Sequence, residues 1–161
     1  MLPATAAAQR RRRKPAPPPP PAVDTAAEQR GGAERIAAQI KTLTQFLYLL
    51  GGVVKSVNEA EQAARGQQAT PEMIAQTERS KATVKESIAN VQAGLDKLET
   101  DFSSKASLRR YYDRLIGISD IAATAERQAE ANQFDQAGRS LLTVVSRLTD
   151  ALLAMSEAGA R

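Results

Sequence analysis

The chain of 161 residues contains neither histidine nor cysteine, which excludes serine triads, disulfides and the usual zinc and haem sites. Aromatic residues make up only 4% while alanine and the aliphatics abound, a mixture that favours helices over sandwiches and barrels. The net charge of +4 lies entirely in residues 1–32, where six cations meet two acids; from Ala33 onward the basic and acidic side chains balance.

Residues 1–32 read as a disordered arm preceding one domain over 33–161. At the start, Ala6-Ala7-Ala8 before Gln9 resembles the small-residue cleavage site of a bacterial secretory signal peptide, without its charged start or apolar stretch. On that reading residues 1–8 are a signal-peptide remnant and the protein is extracytoplasmic, either periplasmic or secreted. An accidental likeness leaves the cytoplasm and the nucleus open. Arg10, Arg11, Arg12, Arg13 and Lys14 form a block of like charges that repel one another and stay solvated. The Pro-rich stretch over 15–23 lacks amide donors and favours an extended polyproline II spacer of about 3.1 Å per residue. The arm could contact an anionic membrane or wall surface, a nucleic acid, or an aromatic groove on a partner, or act only as a solubilising linker. No run of about 18 apolar residues is present, so no transmembrane helix is expected.

The domain reads as four helices. The first spans about 33–64, with Ile36, Ile40, Leu43, Leu47, Leu50, Val54 and Val57 recurring in alternate steps of four and three. That is the coiled-coil-like seam of helices packed at shallow angles. Phe46 and Val53 widen the stripe, and Gly51-Gly52 in its middle implies a kink or a close helix–helix approach. Arg65 to Ala69 forms a turn with Gly66 closing the helix. Thr70-Pro71-Glu72 then opens the second helix with a capping hydroxyl, a first-turn proline and an acid. That helix runs to about 102 through Val84, Ile88, Val91, Leu95, Leu98 and Phe102. A phase break around Ser103 to Ser107, capped by Ser104 or Ser107, precedes the third helix over 107–131; one long helix with a phase slip is the alternative. Asn132 caps the fourth, over 133–157, which carries Phe134, Ala137, Leu141, Val144, Leu148, Ala151 and Met155.

Short connections make neighbours antiparallel, so the expected fold is an all-α, up-down-up-down four-helix bundle. The first two helices, at about 48 Å, exceed the last two, at about 37 Å. The first hairpin should therefore overhang at the Arg65–Thr70 turn, leaving the seam positions Glu61, Thr77 and Lys81 without partners. In architecture alone, a Pro-rich leader before such a bundle without histidine or cysteine resembles the extrinsic Q subunit of photosystem II. The likeness covers no motif and assigns no residue a role.

The seam carries no inward carboxylates over its packed stretch, Met73 and Met155 lie far apart, and no glycine-rich phosphate loop follows a strand. No enzymatic activity, metal or cofactor is expected. What remains is a candidate basic pole. The topology gathers the start of helix 1, the turn between helices 2 and 3, and the C-terminus at one end. That end collects the arm with Lys105, Arg109, Arg110, Arg114 and Arg161, beside Tyr111 and Tyr112, with Asp101 as a counter-charge. Such a cluster draws phosphates, anionic headgroups or acidic proteins. The sequence thus points to a non-enzymatic scaffold or adaptor whose basic arm contacts an anionic surface or acidic partner. A nucleic-acid-associated or nuclear protein is the alternative, and self-association through the overhanging hairpin is the second.

Overall fold

The computed structural model describes residues 24–159. They form five helical segments: α1 Thr25–Arg65, α2 Pro71–Ser104, α3 Arg109–Leu115, α4 Ile118–Glu130 and α5 Phe134–Gly159. Because α3 and α4 follow one another across a short break, the segments make up four packed rods, an all-α bundle. α1 packs on α2 and α5, and the α3–α4 rod packs on the same two from the opposite corner. Each neighbouring pair is antiparallel, as the falling residue numbers along each contact record. Arg35 meets Asp101 and Gln39 meets Gly94; Gly32 meets Met155 and Leu50 meets Gly138. Likewise Ser119 meets Glu99 and Glu130 meets Lys85, while Arg147 meets Ile116 and Ser140 meets Gln128.

The heptad stripe becomes the core. Ile36, Leu43, Ile88, Leu95, Phe102, Leu115, Leu141 and Leu148 have no appreciable solvent exposure, and no polar or charged residue is buried among the described residues. Each fully buried aliphatic side chain of this kind contributes about 1.5–3 kcal/mol through removal from water. Ile40, Leu47 and Val54, placed in the seam by spacing, are half-buried and line its edge.

Several boundaries differ from the sequence-based expectation, each for a local reason. α1 begins at Thr25, not at 33, because the Asp24 carboxylate accepts hydrogen bonds from the amides of Ala26 at 3.1 Å and Ala27 at 3.3 Å. Residues 24–32 therefore belong to the bundle rather than to the arm. Gly32 resembles a helix breaker in sequence, yet it is buried where α1 crosses the pole: a β-carbon there would sit 2.8 Å from Leu108, 3.2 Å from Phe102 and 3.3 Å from Met155. The left-handed residue after α1 is Gln67, at φ 56°, while Gly66 is the C-cap at φ −82°. Thr70 and Pro71 open α2 as expected, with the Thr70 hydroxyl accepting from the Met73 amide at 3.2 Å. Neither serine caps the third rod. Ser107 donates to the Glu28 carboxylate and Ser104 to the Asp101 carbonyl, while Leu108 stands at the N-cap without a side-chain hydrogen bond. Asn132, at φ 58°, follows the end of α4 in the left-handed region and is not the cap of α5.

The largest difference is the break in the third rod, expected as one helix over 107–131. Gly117 adopts φ 81°, which ends α3 and restarts the chain as α4. The gap is held from both sides. Glu99 on α2 accepts from the amides of Gly117 at 2.7 Å and Ser119 at 3.2 Å and from the Ser119 hydroxyl at 2.8 Å. Arg147 on α5 donates to the freed carbonyl of Ile116 at 2.8 Å. The missing helical hydrogen bonds are thus replaced by partners from both flanking rods.

The overhang is present. The rods end level with one another near Val54, Val84, Glu130 and Phe134, since Val54 flanks the same groove as Phe134 and Lys85 pairs with Glu130 at 3.6 Å. Beyond that level the α1–α2 hairpin continues by itself. Val57 and Ala60 are buried there, but stand outside the continuous core. Glu61 is exposed, whereas Thr77 is half-covered and Lys81 folds back onto Glu78 at 3.1 Å.

Candidate functional site

The pole expected from topology exists as a place. Gln29 near the start of α1 donates from its side-chain amide to the Ser107 carbonyl at 3.4 Å, and Gly32 touches Phe102, Leu108 and Met155. The start of α1, the α2–α3 connection and the end of α5 therefore converge. Lys105, Arg109, Arg110 and Arg114 all stand at or next to that convergence. Arg10, Arg11, Arg12, Arg13, Lys14 and Arg161 lie outside the described residues.

The pole is less uniformly basic than the sequence suggests. Within α3, helical spacing puts Arg110 and Arg114 on one flank and Arg109 with Asp113 on the other. The Arg110 guanidinium lies 4.7 Å from the ring centroid of Tyr111, a cation–π contact that packs the cation against its own helix. Arg109 donates from Nε to the Ser103 carbonyl at 3.2 Å, so part of its donor set is spent on closing α2. Lys105 is the half-buried C-cap of α2. Asp101 is not the counter-charge to Arg109: it pairs with Arg35 across the α1–α2 contact at 3.4 Å. Arg114 is exposed and makes no ion pair among the described residues. Tyr111 is buried as a core residue, and its hydroxyl, like the Arg35 Nε, finds no hydrogen-bond partner among the described residues. Stacking on an external base is therefore closed to Tyr111; half-exposed Tyr112 retains it.

Among the described residues no group of three or more acids is placed to hold a metal ion, and no helix is long and apolar enough to cross a membrane. At the pole Gln29, Ser107 and Arg109 make structural bonds, and among the described residues no nucleophile, base and oxyanion donor converge there.

One surface feature was not singled out from sequence. The outward face of α1 exposes Tyr48 at 84% and Leu49 at 64%. Beside them, a groove of about 310 Å³ runs between α1 and α2, lined by Phe46, Leu49 and Val53 on one wall and Ser80, Thr83 and Ser87 on the other. The signal was in the chain: Gly51-Gly52 marked the place, read from sequence as a kink or a close helix–helix approach, and the structure leaves both glycines exposed.

Comparison with protein-family models, with curated proteins and with solved structures finds no significant match to this chain.

Proposed function

We propose that this protein is a non-enzymatic helical scaffold or adaptor, exported from the cytoplasm, whose basic arm contacts an anionic surface or acidic partner. The observation that carries this reading is the interior: hydrocarbon side chains fill it, Tyr111 is the buried residue that brings a hydroxyl, and no residue of polar or charged type is buried among the described residues. The first described residue, Asp24, leads directly into α1, so the cationic block is tethered to the pole where Lys105, Arg109, Arg110 and Arg114 stand. The arm carries the chain's net positive charge, while from Ala33 onward, the pole's cations included, basic and acidic side chains balance.

The test is co-sedimentation of the full chain with vesicles of phosphatidylcholine containing phosphatidylglycerol. Binding is expected at low salt, to fall as salt screens the charges, and to be lost when Arg10–Lys14 are replaced by glutamine. No binding, or binding indifferent to the replacement, overturns the arm's role. The nucleic-acid alternative is read in the same experiment with duplex DNA. Five phosphate contacts predict a log–log salt slope of about −4.5, and a tighter hold on duplex than on vesicles would favour it.

A further inference from the structure

Two glycines in the middle of a long helix call for a reason, and the bundle supplies none. A β-carbon on Gly51 or on Gly52 would meet nothing within 4 Å, although both lie inside α1, a helix of 41 residues. No turn, left-handed backbone or close neighbour among the described residues requires them. A close approach, if they serve one, comes from outside.

The same surface carries an ordered pattern. Facing away from the core, Lys41, Gln45, Tyr48, Gly52, Lys55 and Glu59 recur in alternate steps of four and three, a second seam on the outer side of α1. All six are exposed. The pattern is self-complementary about Leu50. In an antiparallel pair of α1 helices centred there, Lys41 faces Glu59 of the second copy, Gln45 faces Lys55, and Tyr48 faces Gly52. By two-fold symmetry each contact occurs twice. On one flank Leu49 meets its own counterpart across the axis; on the other, Gly51 meets Gly51. The most exposed aromatic of the chain thus lands where the opposing helix has no side chain, and the lysine and glutamate at the ends are matched in sign. A parallel pairing would set lysine against lysine and glutamate against glutamate.

From this we infer that the outward face of α1 is an interface with a second copy of the chain, which forms an antiparallel two-fold dimer with Tyr48 seated over Gly52. The inference is independent of what the arm binds. It also differs from association through the overhanging hairpin, because its centre lies at Leu50 rather than at the tip. A single helix-pair contact of this kind falls at the small end of specific interfaces, so a dimer in the micromolar range is expected.

Sedimentation velocity on the full chain tests it. The unmodified chain is expected to shift from monomer to dimer as concentration rises. Gly52→Ala fills the seat of Tyr48 and should raise the dimer dissociation constant at least tenfold, while raising the melting temperature measured on the dilute monomer, because alanine is the better helix former. This opposite movement separates lost contact from lost folding. Lys41→Glu should also weaken the dimer, and Lys41→Glu with Glu59→Lys should restore it. Since the chain has no cysteine, single introduced thiols report the register: Leu49→Cys should oxidise to a covalent dimer. Lys41→Cys should not, because residues 41 and 59 lie about 27 Å apart along the helix. A monomer at all concentrations up to about 1 mM, a dimer unaffected by Gly52→Ala, or cross-linking by Lys41→Cys in place of Leu49→Cys overturns the proposal.

Discussion

Glu99 is the residue on which the third rod turns. Its carboxylate gathers two backbone amides and a hydroxyl at the start of α4, a cap supplied by a neighbouring helix because Gly117 at the N-cap has no side chain to offer. Capping by a carboxylate also suits the positive end of a helix dipole. Glu99→Ala leaves these donors half-covered without an acceptor and should cost about 1–2 kcal/mol. In a domain of this size that lowers the melting temperature by a few degrees for each kcal/mol, measurable by circular dichroism. Glu99→Gln keeps one acceptor oxygen and should lose less; an unchanged melting temperature in Glu99→Ala would show that the contact carries no net stability.

At the scale of elements, hydrophobic spacing revealed the helices but not where they break. Leu115, Ile118 and Ala122 keep the three-and-four rhythm across the Ile116–Gly117 gap, so periodicity passes through it unaltered. The break depends on a left-handed glycine and on a carboxylate brought from α2, and neither leaves a periodic trace. The start of α1 was missed for the opposite reason. Asp24 with Glu28 is a readable cap and first-turn acid, but the arm was bounded at residue 32 by its charge, and only the packed pole shows Gly32 as a contact point. The pole's location was legible because short turns dictate topology; its partners were not, since Arg35 takes Asp101 through a contact between helices distant in sequence. If the cap holds the first turns of α1, Asp24→Ala should cost about 1 kcal/mol or less and act locally. Hydrogen exchange should then quicken in the amides of residues 25–32 and remain unchanged beyond Leu43. A uniform loss of protection along α1 would mean that the first turns and the core open together.

Across the whole molecule, stability should follow the extent of the continuous core rather than helix length. From Ile36 to Leu50 on α1 and from Val84 to Phe102 on α2, buried side chains meet apolar partners from the other rods. Past that level the hairpin has two helices where the body has four, and Val57 and Ala60 are covered outside the main cluster. Met73 and Ile74, at 41% and 50% exposure, add apolar surface near the tip without full burial. An isolated antiparallel pair gains little burial per residue ordered, so the tip over 58–80 should open without unfolding the bundle. Core truncation and tip truncation then differ in kind. Leu95→Ala or Leu141→Ala removes a side chain with no exposure and should cost about 2–5 kcal/mol of global stability. Ile74→Ala, within the tip, should cost well below 1 kcal/mol globally, because the unfolding it promotes is already available to the native state. Native-state hydrogen exchange under mild denaturant distinguishes the two cases. Amides of residues 58–80 should exchange through a low-energy opening with a small denaturant slope, and those around Leu95 and Leu141 only through global unfolding. Tip amides that share the slope and free energy of the core would show that the overhanging hairpin is locked to the body, and that the chain folds as one cooperative unit along its full length.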